Sequence, residues 1–149
     1  MIETERLLIR AFTGAERAAV TAQWLEPANE RAPGQPEHRV RYYAANVPWG
    51  VWERATGELV GDCSLHLDAD YGEWELSYGI VRGRWGRGYA TEAAQACVRY
   101  GFEEMGLEKI VADASPENAA SRRVLEKCGF VEVRPAYFEL TTPRLAPAA

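Results

Sequence analysis

From Ala90 to Met105 the apolar residues Ala90, Ala93, Ala94, Cys97, Val98, Gly101, Phe102 and Met105 recur with a helical period, while Glu92, Gln95, Arg99 and Glu103 fall on the opposite side. A stripe of this kind must bury itself against an apolar surface. The surrounding sequence offers mainly short apolar runs of strand character: Arg6 to Ala11, Trp49 to Arg54, Leu59 to Leu67, Glu73 to Val81, Lys109 to Ala114, Phe130 to Val133 and Tyr137 to Thr141. The stripe makes Ala90 to Met105 the clearest amphipathic helix of the chain.

Further helices are signalled by Ala15, Ala18, Ala19, Ala22 and Leu25 after Thr13-Gly14, by Glu37 to Ala45, and by Pro116 to Lys127 ahead of Cys128-Gly129. Between the first two, Glu26 to Pro36 holds three prolines and reads as a long loop. Ala55-Thr56-Gly57 reads as a hairpin turn, Asp68-Ala69-Asp70 as an acidic turn, and Pro143 to Ala149 as a frayed tail. The order β-α-α-β-β-β-α-β-α-β-β predicts an α+β fold, and 149 residues predict one domain over 1–149 with a single active site.

The net charge of -5 argues against a nucleic-acid partner, since phosphate neutralisation needs a basic face, and weakly favours a cationic substrate. No apolar run reaches the length of a membrane span, and Met1 to Arg6 does not read as a leader. Cys63, Cys97 and Cys128 are odd in number and widely spaced, each within an apolar-patterned segment, so they read as reduced core thiols and the location as cytoplasmic. With only His38 and His66 and no paired cysteines, no metal site is expected.

Chemistry concentrates between Val81 and Thr91. Arg82-Gly83-Arg84-Trp85-Gly86-Arg87-Gly88-Tyr89-Ala90 follows a strand, opens the best helix, and carries three arginines and no acid. Glycines that turn backbone N–H groups inward, beside a helix N-terminus, make a site for a pyrophosphate. A solvated basic turn is the alternative reading. The spacing fits neither a dinucleotide fingerprint nor a P-loop.

A second constellation, Asn118-Ala119-Ala120-Ser121-Arg122-Arg123-Val124-Leu125-Glu126-Lys127-Cys128-Gly129-Phe130, places Asn118, Ser121, Arg122 and Leu125 along one side of a helix. Together with Trp85 to Ala93 it resembles the two signature motifs of the GNAT superfamily, in particular the branch of the ribosomal-protein N-terminal (alanine/serine) acetyltransferases. The resemblance runs from Thr4-Glu5-Arg6-Leu7 to the last strands. It implies a GNAT-like acyl-CoA N-acyltransferase fold, a twisted mixed β-sheet flanked by helices on both faces, which moves an acetyl group from acetyl-CoA to a primary amine by direct attack in a ternary complex. The acceptor is left open between a protein N-terminus and a small-molecule amine, and a homodimer is compatible with it.

What the resemblance implies residue by residue is a bulged strand Glu73 to Val81 that splays from the next strand. Backbone at Ile80 and Val81 would hold the pantetheine arm. Backbone N–H groups of Arg84, Trp85, Gly86, Arg87, Gly88, Tyr89 and Ala90 would hold the pyrophosphate, Asn118 the cofactor arm, and Ser121 would lie near the sulfur. Two positions depart from the pattern: Gly83 stands where many members have Gln or Arg, and Leu125 stands where many have a tyrosine that reprotonates the thiolate. Ser121 or a bound water thus becomes the candidate acid. Glu75, matching the carboxylate at the head of the corresponding strand, is the candidate base, because a protonated amine cannot attack a thioester; a solvent-facing strand glutamate is the other reading.

His66 is read as a hydrogen-bonded strand histidine, with a base role as the alternative. The five tryptophans read mostly as packing, with Trp24 and Trp49 near the acceptor, and Cys128 as core. The rival functions are an acyl-CoA-binding sensor of the same fold without catalysis, and a structural subunit of a larger assembly.

Overall fold

The structure is a computed structural model that describes residues 1–24, 49–68 and 72–142. The Pro-rich loop, the helix expected over Glu37 to Ala45, the turn at Ala69-Asp70, the tail from Pro143 and the side chain of Trp24 lie outside the described residues.

Along the chain run β1 (Ile2–Glu3), β2 (Leu7–Ala11), α1 (Gly14–Trp24), β3 (Trp49–Glu53), β4 (Leu59–Asp68), β5 (Glu73–Ile80), a single 3-10 turn at Arg82–Arg84, α2 (Tyr89–Glu103), β6 (Lys109–Asp113), α3 (Ala119–Lys127), β7 (Val131–Arg134) and β8 (Tyr137–Thr141). The strands form one sheet in the order β1-β2-β3-β4-β5-β6-β8-β7. Among the described residues only β5 and β6 run parallel, and every other neighbouring pair is antiparallel.

Alternation along each strand sorts the side chains onto two faces. Leu7, Ile9, Val51, Cys63, Leu76, Ile110, Ala112, Phe138 and Leu140 point to one face and form the main core with Ala93, Ala94, Cys97, Val98 and Phe102 of α2 and Val124 and Leu125 of α3. This is the apolar stripe foreseen between Ala90 and Met105. Helix and sheet come close enough at Gly101 that a Cβ there would stand 2.8 Å from Leu65 Cδ1 and 3.0 Å from Ile110 Cδ1. The other face carries Trp52 packed edge-on against Phe12. Arg10 lies over Trp52 at 3.8 Å and reaches Glu16 of α1 at 2.9 and 3.0 Å, which ties that helix to this second face.

Three elements differ from what the sequence suggests. The two-residue β1 was not foreseen, because Ile2 and Glu3 carry no alternation of their own and form a strand only by pairing with Ile9 and Leu8. Helix α3 starts at Ala119 instead of Pro116: Asn118 N–H donates to Ser115 O at 3.0 Å, closing a turn over Pro116 and Glu117, and the Asn118 side chain then caps the helix by accepting from Ser121 N–H at 3.1 Å. Strand β5 has no bulge, since its register with β4 is unbroken from Gly61↔Ile80 to Asp68↔Glu73.

Candidate active site

A cleft opens where β5 and β6 part. Their parallel ladder holds at the single pair Glu75↔Val111, after which the two strands separate. With β5 bonded to β4 along its full length, the opening comes from this lost pairing and not from a bulge. Val81 N–H donates to Val60 O at 2.8 Å, so the odd-numbered residues of β5 turn their backbone groups to β4 and the even-numbered ones face the open edge. The expectation at Val81 is therefore corrected: its N–H is spent, and the backbone groups that face the cleft are those of Tyr78 and Ile80. The Ile80 carbonyl already accepts from Trp85 Nε1 at 2.7 Å, and Trp85 itself is 52% exposed and so lies outside the core.

One end of the cleft is the N-terminus of α2. Gly86 and Gly88 take φ of 79° and 80°, in the left-handed region that glycine tolerates. Gly88 caps α2 without any side-chain hydrogen bond, so the first N–H groups of the helix have no partner from a cap and point outward as a ready anion site. A Cβ built on Gly86 meets no atom within 4 Å. The expected arc of donors is narrower than foreseen, because Arg84 N–H and Trp85 N–H close the 3-10 turn onto Val81 O and Arg82 O. It runs from Gly86 to Ala90.

The loop that holds no acid in sequence receives two through space. Glu53, buried at the end of β3, accepts from Tyr89 Oη at 2.5 Å and Thr56 Oγ1 at 2.8 Å, and lies 3.3 Å from Arg84 Nε and 3.6 Å from Arg87 Nη1. Those hydrogen bonds, Tyr89 first, hold its carboxyl down at about 2. Arg84 is also paired with Glu58. Arg84 is thus held by two carboxylates, whereas Arg87, half-exposed, meets Glu53 alone and at 3.6 Å, and Arg82 lies 5.4 Å over Trp85; these two are the arginines nearest to serve an anion. Across the loop, Arg6 donates to Arg87 O at 2.8 Å and to Glu92 at 2.7 Å, while Thr4 reaches Glu92 at 2.5 Å. The Thr4-Glu5-Arg6-Leu7 opening is the clamp that fixes the start of α2. Nothing in the sequence signalled Glu53, which looks like the polar end of an ordinary strand.

On the second face of the sheet, at the head of the cleft, Glu75 Oε2 stands 3.4 Å from His66 Nε2 on the neighbouring strand, and both side chains are largely buried. Asp113, on the same face of β6 two residues past Val111, has its carboxyl pushed up, chiefly by desolvation and then by the charge of Glu75. Glu73 and Glu139 share Lys109 at 2.8 and 3.7 Å, so neither has the cleft to itself. Among the described residues no group of three or more His, Cys, Asp or Glu side chains is arranged to hold a metal ion.

The sulfur end was expected at Asn118 and Ser121. Asn118 Oδ1 is engaged in capping α3, so a cofactor arm would meet its amide nitrogen. Ser121 is half-buried, and its Oγ lies 2.8 Å from Tyr78 Oη across the cleft. Leu125 is fully buried in the core. Cys128 is buried too, its thiol pushed up to about 12 by desolvation, as befits a packing residue. Trp49 does not share the face of Glu75: it packs edge-on against Tyr100 of α2 at 4.9 Å and borders a separate cavity of about 260 Å³ with Leu65, Cys97 and Met105. The signal missed here was the parity of β3, which turns Trp49 toward α2.

A family profile described as an acetyltransferase (GNAT) domain matches residues 6–131. The chain belongs to the GNAT acetyltransferase family. The mixed eight-stranded sheet with helices on both faces is the GNAT fold. Among relatives of this GNAT chain, YoaA of Bacillus subtilis (strain 168), named an uncharacterized N-acetyltransferase, is 31% identical over 145 residues, 87% of this chain and 82% of its own. YdaF of the same organism, named a putative ribosomal N-acetyltransferase, is 38% identical over 77 residues, which is 51% of this chain and only 42% of that protein. A GNAT-family acetyltransferase from Bacillus anthracis superposes with a TM-score of 0.76 at 28% identity, covering 94% of this chain and 97% of its own. Structures named for ribosomal-protein and for spermidine acetylation share the fold at 22% and 18% identity, a likeness that shows the fold alone and spans several branches.

Proposed function

We propose that this chain transfers the acetyl group of acetyl-CoA to a primary amine, an amino terminus of a protein or a small-molecule amine, by direct attack within a ternary complex. The observation that carries the reading is one cleft with an uncapped helix N-terminus at one end and a carboxylate–imidazole pair at the other. The first suits the pyrophosphate of the donor. The second suits a cation that must lose a proton.

Donor binding is assigned to the N–H groups of Gly86 to Ala90 and the N-terminal dipole of α2, with Arg82 and Arg87 adding charge. The edge groups of Tyr78 and Ile80 and the amide of Asn118 line the path of the pantetheine arm. Glu75 attracts the ammonium group and takes its proton, directly or through water, as the nitrogen closes on the thioester carbon. The C–N bond forms, the C–S bond breaks with its electron pair going to sulfur, and the thiolate takes a proton from the side of the cleft where Ser121 stands. The raised Asp113 and the Glu75–His66 pair favour turnover of a cation over passive acyl-CoA sensing, which needs no acid there. The name borne by YdaF, putative ribosomal N-acetyltransferase, supports a ribosomal component as one acceptor.

The test is a panel of amines and peptide amino termini assayed for release of free CoA thiol. Amine-dependent release matched by acetylated amine supports the reading, and donor binding without it overturns it.

A further inference from the structure

Leu125 removes the tyrosine that this family pattern places on the helix, and its side chain is fully buried, so no group at that position reaches the cleft. The structure brings a different tyrosine, Tyr78, to Ser121. Tyr78 is on β5, and its side chain leaves the sheet on the α3 side and crosses the cleft to α3. Its hydroxyl lies 2.8 Å from Ser121 Oγ and 3.2 Å from Ser121 O. The contact joins the open-edge side of β5 to α3, beside the serine to which the donor sulfur is assigned. The shorter contact is an ordinary O–H···O hydrogen bond in which either oxygen can donate.

We infer that Tyr78 supplies, through Ser121, the proton taken by the departing thiolate. This rests on the acetyltransferase reading given above. In the step, the amine nitrogen bonds to the acetyl carbon and the C–S bond cleaves with its electrons on sulfur. Sulfur takes the Ser121 Oγ proton while Ser121 takes the Tyr78 Oη proton, so the serine never carries charge. The phenolate left behind is refilled from water, and the proton lost by the amine leaves by the Glu75 side.

Ordinary acidities favour this division of labour, since a phenol at about 10 is close to a thiol at about 8.5, whereas an alcohol is far weaker than either. The 2.8 Å contact allows this direction, since either oxygen can donate, and it is shorter than the 3.2 Å from Tyr78 Oη to Ser121 O. With Tyr78 donating to Ser121 Oγ, the serine's own proton is left to point into the cleft. Tyr78 acts through Ser121 and is a positioning and relay residue.

The experiment compares the unsubstituted protein with Tyr78→Phe, Ser121→Ala and the double variant, using acetyl-CoA and, separately, an acetyl aryl thioester whose thiol is acidic enough to leave without a proton. Tyr78→Phe keeps the ring and removes only the hydroxyl, and acetyl-CoA binding by calorimetry checks that each variant is folded. The relay predicts that Tyr78→Phe lowers kcat with acetyl-CoA by about ten-fold to a hundred-fold, toward the low end for a lost general acid. KM changes little. The loss shrinks to less than about three-fold with the aryl thioester, and the double variant is no worse than the more damaged single one, as for residues that act as a unit. Full activity of Tyr78→Phe, a loss equal with both donors, or losses that multiply in the double variant would each overturn the relay while leaving the acetyltransferase reading in place. Absence of amine-dependent turnover in the unsubstituted protein overturns both.

Discussion

Glu75 and Glu53 are two strand glutamates, and the fold sets them in different surroundings. Glu75 faces His66 at 3.4 Å on the cleft side, so Glu75→Gln is expected to retain the fold and acetyl-CoA affinity while kcat/KM falls by about ten-fold to ten-thousand-fold. The loss should shrink at high pH, where the amine arrives already deprotonated; a pH–rate profile of both proteins checks it. Glu53 is bound by Tyr89, Thr56 and Arg84 and titrates at about 2, below the roughly 4.3 of an unfolded glutamate. Between those values the unfolded chain binds the extra proton, so the stability Glu53 contributes is fully present above about 4.3 and is lost as pH falls through about 2. Glu16, held at about 2 by Arg10, titrates in the same window. Glu53→Gln is therefore expected to be less stable than the parent at pH 7 and to lose that deficit toward pH 2, a difference visible in acid unfolding followed by circular dichroism. Glu75 was singled out in sequence because the family resemblance places a carboxylate at that position of the strand. Glu53 was not, because its partners come from Thr56 in the following turn and from Arg84 and Tyr89 some thirty residues downstream, and only folding brings these together.

Helix α2 and the loop before it were legible almost residue by residue, since period, glycine spacing and basic charge are local properties. What the sequence could not show is which donors remain after the loop has satisfied itself: Arg84 and Trp85 spend their N–H groups on a 3-10 turn, and Arg84 spends its guanidinium on Glu53 and Glu58. Gly86→Ala tests the remaining arc. A Cβ there meets no protein atom but must adopt a φ of 79°, so the fold should lose only about 1–2 kcal/mol, while acetyl-CoA affinity should fall by more than that because the methyl stands over the anion site. Calorimetric titration beside a thermal melt separates the two. In α3 the start was misplaced because Pro116 is an acceptable first helical residue in sequence, whereas the Ser115–Asn118 turn takes it instead. Leu125, fully buried on this helix, should cost about 2–5 kcal/mol on truncation to alanine, read by denaturant unfolding.

At the scale of the whole molecule seven of the eight strands, the mixed character of the sheet and the cleft between Glu73–Ile80 and Lys109–Asp113 followed from patterning together with two motifs. Two features did not: β8 inserts between β6 and β7, and the parting of β5 from β6 needs no bulge. Both are decisions about pairing, and alternation within a strand says which side faces the core without saying which neighbour it meets. The parted strands, the open N-terminus of α2, and the Tyr78–Ser121 and Glu75–His66 pairs make one site only if an acyl donor and an amine occupy it together. Steady-state release of CoA thiol, measured with acetyl-CoA and varied amine at fixed protein concentration, tests that directly. The account predicts thiol release that rises with amine to saturation, with one acetylated amine formed per thiol; tight acetyl-CoA binding with no amine-dependent release across the panel would contradict it.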